Sequence, residues 1–197
     1  MQDWLDQHAD ITALRLAVAD LNGQARGKRL PRQFSGKVFD GGTRLPFSTL
    51  NVDLLGQDID DSPLVFDTGD ADGLLVPTAR GFIPMPWLDT PTAMLPMGMF
   101  YPDNTAFDGD PRHALHRVLE RYTQHHLTPV SAIEMEFYLI DTSGPAPQIP
   151  CVPGTTYRHA VADTLSISAL DDFDGFLTDL YAACKAMDIP ADAAISE

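Results

Sequence analysis

Ser131-Ala132-Ile133-Glu134-Met135-Glu136-Phe137-Tyr138-Leu139-Ile140-Asp141 reads as one β-strand. Ile133, Met135, Phe137 and Leu139 alternate with Glu134, Glu136 and Tyr138, and side chains two apart share a face of a strand. One face is apolar and calls for a core beneath it. The other sets two carboxylates side by side, about 7 Å apart along the strand. Like charges at that spacing repel, and partial burial raises a carboxyl's pKa. A hard divalent cation, Mg²⁺ or Mn²⁺, resolves the conflict because both prefer carboxylate oxygen. A solvated strand face carrying two glutamates is the plainer reading of the same pattern, so the neighbouring sequence has to decide between the two.

The chain has 197 residues, enough for one domain or two small ones, and a hydrophobic fraction of 44% permits a core. Thirteen basic residues stand against 28 acidic ones, a formal net charge of −15. That balance argues against nucleic acid or an anionic membrane as partner, since both are bound through basic patches. Cys151 and Cys184 are the two cysteines, a count that fits a reducing, cytoplasmic compartment better than a disulfide scaffold. Met1 to Ala9 carries Asp3, Asp6 and His8 and has neither the basic start nor the apolar centre of a signal peptide. No apolar run approaches bilayer length.

Upstream, Thr12 to Asp20 alternates Leu14, Leu16 and Val18 with polar or small residues, and Gln24 to Leu30 is its return strand. Asn22-Gly23 between them predicts a type I′ hairpin, since both residues tolerate positive φ. Arg26, Lys28 and Arg29 make the return strand locally basic, the pattern of a solvated edge guarded against aggregation. Pro31 to Gly42 predicts a short helix or turn, and Leu45 to Leu55 a mixed loop. Asp58, Asp60, Asp61, Asp67, Asp70 and Asp72 follow. Asp70-Ala71-Asp72-Gly73 superficially matches a calcium loop but lacks its later oxygen ligands and closing Glu, so a polar turn is expected. Leu74 to Pro77, Phe82 to Trp87 and Thr92 to Tyr101 read as short strands. Pro77, Pro84, Pro86 and Pro96 should confine these to edges or ends, with Met85, Met94, Met97 and Met99 as core filler.

Asp110-Pro111 opens the clearest helix, with an N-cap, a first-turn proline and an apolar stripe of Ala114, Leu115, Val118, Leu119 and Tyr122. His113 and His116 flank the stripe as expected solvated residues. Downstream, Asp141 to Pro153 is a loop. Asp171 or Asp172 should cap a second helix with Phe173, Phe176, Leu177, Leu180, Tyr181, Cys184 and Met187 on one face. Ala193-Ala194-Ile195-Ser196-Glu197 predicts the start of another strand. A chain stopping inside a strand is expected to be the front part of something longer.

Taken together these motifs resemble the glutamine synthetase family, in particular its branch of γ-glutamylpolyamine synthetases and other glutamate–amine ligases. The resemblance is carried by Asp20-Leu21-Asn22-Gly23 with Arg26-Gly27-Lys28, Gly69-Asp70-Ala71-Asp72-Gly73, Pro86-Trp87, Asp110-Pro111-Arg112, Glu134-Met135-Glu136-Phe137-Tyr138-Leu139, and Ile189-Pro190 leading to Ile195-Ser196-Glu197. It implies an α+β fold: a β-grasp domain over residues 1–107, then the beginning of a glutamine synthetase-type catalytic α/β domain over 108–197. It implies that Glu134, Glu136 and Glu197 are ligands of Mg²⁺ or Mn²⁺, with Glu134 on the nucleotide side. It further implies ATP and glutamate as substrates, a γ-glutamyl phosphate intermediate, an amine acceptor and homo-oligomeric, dodecameric assembly.

Two departures bear on the amine. Ammonia-using members carry an Asp in a Phe-Asp-Gly-Ser-Ser loop, whereas Leu45-Pro46-Phe47-Ser48-Thr49 has no acid, which favours a larger amine. A tyrosine of the ammonium site falls near Leu165, or at Tyr157 if the loop is placed differently. A second expectation is that the chain is a non-catalytic fragment retaining assembly contacts and partial metal binding.

Overall fold

The computed structural model describes residues 1–159 and 163–196. It divides into two compact units, Met1–Pro129 and Val130–Glu197. The first holds six strands: β1 (Ala13–Ala19), β2 (Ala25–Pro31), β3 (Arg44–Pro46), β4 (Asp72–Pro77), β5 (Ile83–Pro84) and β6 (Thr92–Phe100). Its helices are α1 (Gln2–Gln7), α2 (Gly36–Phe39), α3 (Pro63–Phe66) and α4 (Pro111–Gln124). The sheet runs β2-β1-β6-β4-β3, with β5 paired to β6 off that path. β1 and β6 are parallel and the other pairs antiparallel.

The β1–β2 hairpin forms as its alternation predicts, with Leu14, Leu16 and Val18 buried on one face. Its turn is not type I′. Among its residues Gly23 alone has positive φ, at 74°, and Leu21 to Gly23 form a three-residue loop closed by Asp20 N–H to Gln24 O at 2.9 Å. The Asp20 carboxylate decides this. It accepts from the N–H groups of Asn22 and Gln24, both at 2.8 Å, and fixes the loop without the positive φ at Asn22 that type I′ needs.

Prolines do not confine every strand to an edge. Pro96 lies inside β6, the central strand. The residues before it pair with β5 and those after it with β4 (Ile83↔Met94, then Pro77↔Met97). Pro96 therefore stands where β6 changes partner, and its carbonyl still accepts from Thr78 N–H at 2.9 Å. β3, expected as loop, is a three-residue edge strand too short to show a period.

The core is built from Leu14, Leu16, Val18, Leu50, Leu75, Leu95, Met97 and Met99, each 1% exposed or less. Met85 is also buried, so the expected role of the methionines as core filler holds there and at positions 97 and 99.

Asp110 caps α4 as predicted and does more. One oxygen accepts from Arg112 N–H and the other from Met99 N–H, both at 2.8 Å, so a 1% exposed carboxylate ties the helix to the end of β6. His113 joins the same clamp rather than facing solvent. Its Nε2 lies 2.8 Å from Met99 O and its ring packs edge-on against Phe100. Asp110→Ala leaves two amide donors unpaired, one of them buried, and should cost about 3 kcal/mol. Urea unfolding of the chain measures this, and an unshifted midpoint contradicts it. The apolar stripe of α4 is not covered among the described residues: Leu115 and Val118 are exposed.

The second unit contains α5 (Ile167–Asp171) and α6 (Asp174–Ala186) and no strand among its described residues. None of its described residues is buried. α6 starts after Phe173 without a side-chain cap, so neither Asp171 nor Asp172 caps it. Asp172 instead accepts from His159 Nε2 at 2.8 Å. Ala193 to Ser196 is not a strand either; Ser196 O accepts a hydrogen bond from Leu165 N–H.

Candidate functional site

Glu134 and Glu136 lie in a segment, Val130 to Ile140, that carries neither helix nor strand. This overturns the expected strand. A strand exists through hydrogen bonds and side-chain pairs with a neighbour, and no described segment pairs with this one. Its alternation survives without cover: Ile133 is 88% and Met135 80% exposed. Phe137 alone among these apolar residues finds a ring partner, Phe176, at 5.9 Å between centroids.

Both glutamates are exposed, and among the described residues neither makes an ion pair or hydrogen bond. Their oxygen donors suit Mg²⁺ or Mn²⁺. The fit is one of donor type. Among the described residues no group of three His, Cys, Asp or Glu side chains is placed to hold a metal ion. Glu197 lies outside the described residues. Among the described residues, Glu134 and Glu136 are therefore joined by no third ligand.

Other polar groups of this unit form local links that span 13 and 17 residues of sequence. Arg158 Nη2 sits 3.1 Å from Asp141 Oδ2, and Arg158 Nη1 also donates to Ile149 O. Asp141 N–H and O exchange hydrogen bonds with Gln148, closing the loop between them. His159 pairs with Asp172 and packs edge-on against Tyr157. No periodicity encodes such pairs, so the sequence offers no signal for them. A cleft of about 500 Å³ at the end of α6, lined by Tyr181, Cys184, Lys185, Asp188 and Ile189, includes neither glutamate.

The Ser143 hydroxyl and amide, with the Arg158 guanidinium, hold the Asp141 carboxyl down to about 2. A carboxyl depressed below its ordinary 3.8 favours the folded loop above that pH, and the contribution is lost as pH falls through about 2. Ser143→Ala should move the Asp141 titration back toward 3.8. A carboxyl-carbon NMR titration reads this directly, and an unmoved midpoint contradicts it.

In the first unit, Asp20 is 1% exposed and anchors the hairpin. Burial pushes its carboxyl up. The Arg26 guanidinium at 2.8 Å and the two turn amides outweigh this and hold it below the usual carboxylate range. Ser48, in the segment without an acid, donates to Asp70 Oδ1 at 2.5 Å. Asp70 sits at φ 55°, in the turn expected there, but the turn is shorter than expected: Asp72 and Gly73 already belong to β4, paired with Pro46 and Leu45.

Residues 108–197 match the family model described as glutamine synthetase, catalytic domain. The chain belongs to the glutamine synthetase family. More particularly, it is 32% identical over 197 residues to gamma-glutamylputrescine synthetase PuuA of Escherichia coli, covering 98% of this chain and 42% of that protein. It is 26% identical over 145 residues to the glutamate–isopropylamine ligase of a Pseudomonas species, covering 73% of this chain and 31% of that one. The chain thus spans less than half the length of these relatives. A solved structure titled a novel glutamine synthase homolog superposes with a TM-score of 0.67 over 95% of this chain and 41% of that one, at 16% identity, which is a likeness of fold. Among the described residues no helix is long and apolar enough to cross a membrane.

Proposed function

We propose that the chain belongs to an ATP-dependent ligase that joins the γ-carboxyl of glutamate to an amine larger than ammonia. The carrying observation is the 32% identity across 98% of the chain to an enzyme whose name specifies putrescine as acceptor. The absence of an acid in Leu45 to Thr49 supports the larger amine.

The glutamate side-chain carboxylate attacks the γ-phosphorus of ATP and ADP leaves. The amine then attacks the resulting acyl phosphate, phosphate departs, and the amine loses its proton as the γ-glutamyl amide forms. Glu134, Glu136 and Glu197 are the proposed holders of Mg²⁺ or Mn²⁺, and exposed, unpaired carboxylates at 134 and 136 are free for that role. When bound, such ions neutralise phosphate charge and align the γ-phosphoryl group. Residues 1–107 are proposed to be the β-grasp domain and 108–197 part of the catalytic domain, in a cytoplasmic homo-oligomer. The test is an ATP-dependent γ-glutamylation assay with ammonia, putrescine and isopropylamine as acceptors. Turnover of ammonia in preference to both organic amines overturns the substrate reading. Absence of glutamate-dependent ADP release with every amine overturns the ligase reading for this chain.

A second reading, an assembly fragment with partial metal binding, is favoured by one observation. Glu134 and Glu136 have no third ligand among the described residues. Amine-dependent turnover by the 197-residue chain itself excludes it.

A further inference from the structure

Lys28 and Asn22 draw the two edges of the first unit's sheet together. β2 and β3 are the ends of the path β2-β1-β6-β4-β3, yet Lys28 on β2 donates to Arg44 O on β3 at 2.6 Å. Beyond β3 the same seam continues. Leu21 N–H donates to Leu50 O at 3.2 Å, and Asn22 Nδ2 donates to Val52 O at 2.9 Å and to Asp53 O at 3.2 Å. No strand ladder joins the two edges among the described residues, so these few bonds carry the seam.

Asn22 is not demanded by its own turn. Asp20-Leu21-Asn22-Gly23-Gln24 and Asp53-Leu54-Leu55-Gly56-Gln57 share one hydrogen-bond scheme. In each, the Asp carboxylate accepts from the amides two and four residues on, all at 2.8 Å. In each, the Asp N–H donates to the Gln carbonyl at 2.9 Å and the Gly N–H donates to the Asp carbonyl at 3.0 Å. Leu55 holds in the second turn the place that Asn22 holds in the first, so the turn accepts an aliphatic residue there. What Asn22 adds is an amide that reaches across to the second turn.

That amide sits in the dipeptide least able to keep it. Asparagine is thermolabile, and most so before glycine, where no side chain shields the next backbone nitrogen. Water and hydroxide suffice for the reaction. Hydroxide takes the Gly23 N–H proton, and the nitrogen attacks Asn22 Cγ. The Cγ–Nδ2 bond breaks, and Nδ2 takes a proton from water and leaves as ammonia, which returns the hydroxide. Water then opens the succinimide at either carbonyl and leaves an aspartyl or isoaspartyl residue at position 22.

The fold restrains both reacting groups. Gly23 N–H donates to Asp20 O, and two carbonyls fix Nδ2. Solvent has access, because Gly23 is exposed and a Cβ built on it meets nothing within 4 Å. The product cannot restore the tether. A carboxylate has no hydrogen for Val52 O or Asp53 O, and it adds negative charge beside Asp20, whose guanidinium partner Arg26 is already engaged. The isoaspartyl form also inserts a methylene into the backbone of a three-residue loop.

We propose that Asn22 is a site of spontaneous deamidation gated by this seam, and that conversion there releases the segment 50–57 from the β1–β2 hairpin. The inference stands on the two turns and the bonds between them and is independent of the ligase reading.

The test is ageing of the full chain in warm, mildly alkaline buffer, followed by peptide mass mapping. Asn22 should convert, while Asn51 and Asn104, which precede Val52 and Thr105, should not. Conversion should run about tenfold or more slower than in the urea-unfolded chain, because only the opened population reacts. Asp53→Ala removes the cap of the second turn and should speed conversion about fivefold. Unchanged hydrogen exchange in the β4–β6 ladder checks that this variant stays folded. The converted chain, separated by its added charge, should exchange the Leu21 amide hydrogen about tenfold faster than the unconverted chain. Asn22→Asp should do the same without ageing. An Asn22 that stays intact while the unfolded chain converts overturns the site. A rate equal in folded and unfolded chains, or unmoved by Asp53→Ala, overturns the gating. Leu21 exchange unchanged in the converted chain overturns the release.

Discussion

Gly27→Ala should unfold the first unit or bring it close to unfolding. Gly27 pairs with Ala17 across the hairpin. A Cβ there would lie 1.7 Å from the carbonyl oxygen of Leu16, 2.8 Å from its carbon and 3.2 Å from Cα of Ala17. All three contacts are backbone, so no side chain can rotate away. The only relief is to push β2 off β1, which breaks the ladder that fixes the hairpin. Overpacking of this severity costs about 3 kcal/mol or more, a large share of a small domain's stability. Gly36→Ala is the control. It adds a methyl at a helical position with nothing within 4 Å and should change stability by less than about 1 kcal/mol, in the favourable direction. Urea unfolding of the two variants beside the parent chain decides the matter. Equal midpoints for Gly27→Ala and the parent would show that β1 and β2 do not pack as described.

If the proposed ligase reading holds, Glu136→Gln should lower glutamate-dependent phosphate release by more than about a hundredfold. The amide keeps the size of the side chain and removes the charge a hard cation requires. Because Glu136 is exposed and unpaired here, the substitution removes no contact, and thermal unfolding should not move. That contrast separates loss of a ligand from loss of fold. Excess Mg²⁺ should recover part of the activity of Glu134→Gln or Glu136→Gln, while excess ATP should not. Activity retained at the parent level would remove Glu136 from the proposed metal site.

The parts of the fold legible in the sequence are those whose cause is local. Alternation at Leu14, Leu16 and Val18 with Asn22-Gly23 located the hairpin, and Asp110-Pro111 located the start of α4 to the residue. The apolar spacing from Phe176 to Cys184 located α6. The errors arise from partners that no hydrophobic pattern shows, near in the chain for the turn and farther along it for Pro96 and His113. The turn type was set by the Asp20 carboxylate rather than by what Asn22 tolerates. Pro96 was tolerated at the sheet's centre because β6 changes partner there. His113 was drawn from solvent by a carbonyl on β6.

Motifs that keep their order identify the family, and residue type alone sets the chemistry of the candidate ligands, because Glu134 and Glu136 are oxygen donors wherever they lie. It also determined that the segment around them needs cover, since alternating Ile133, Met135 and Phe137 have no use in water. Which predicted strands are real depends on pairing between distant segments. β1 and β2 find each other through a three-residue loop, whereas the glutamate segment finds no neighbour among the described residues. A helix closes its hydrogen bonds within itself, so its sequence nearly suffices. A strand closes them on another strand, so its pattern states a requirement that only the rest of the fold can meet.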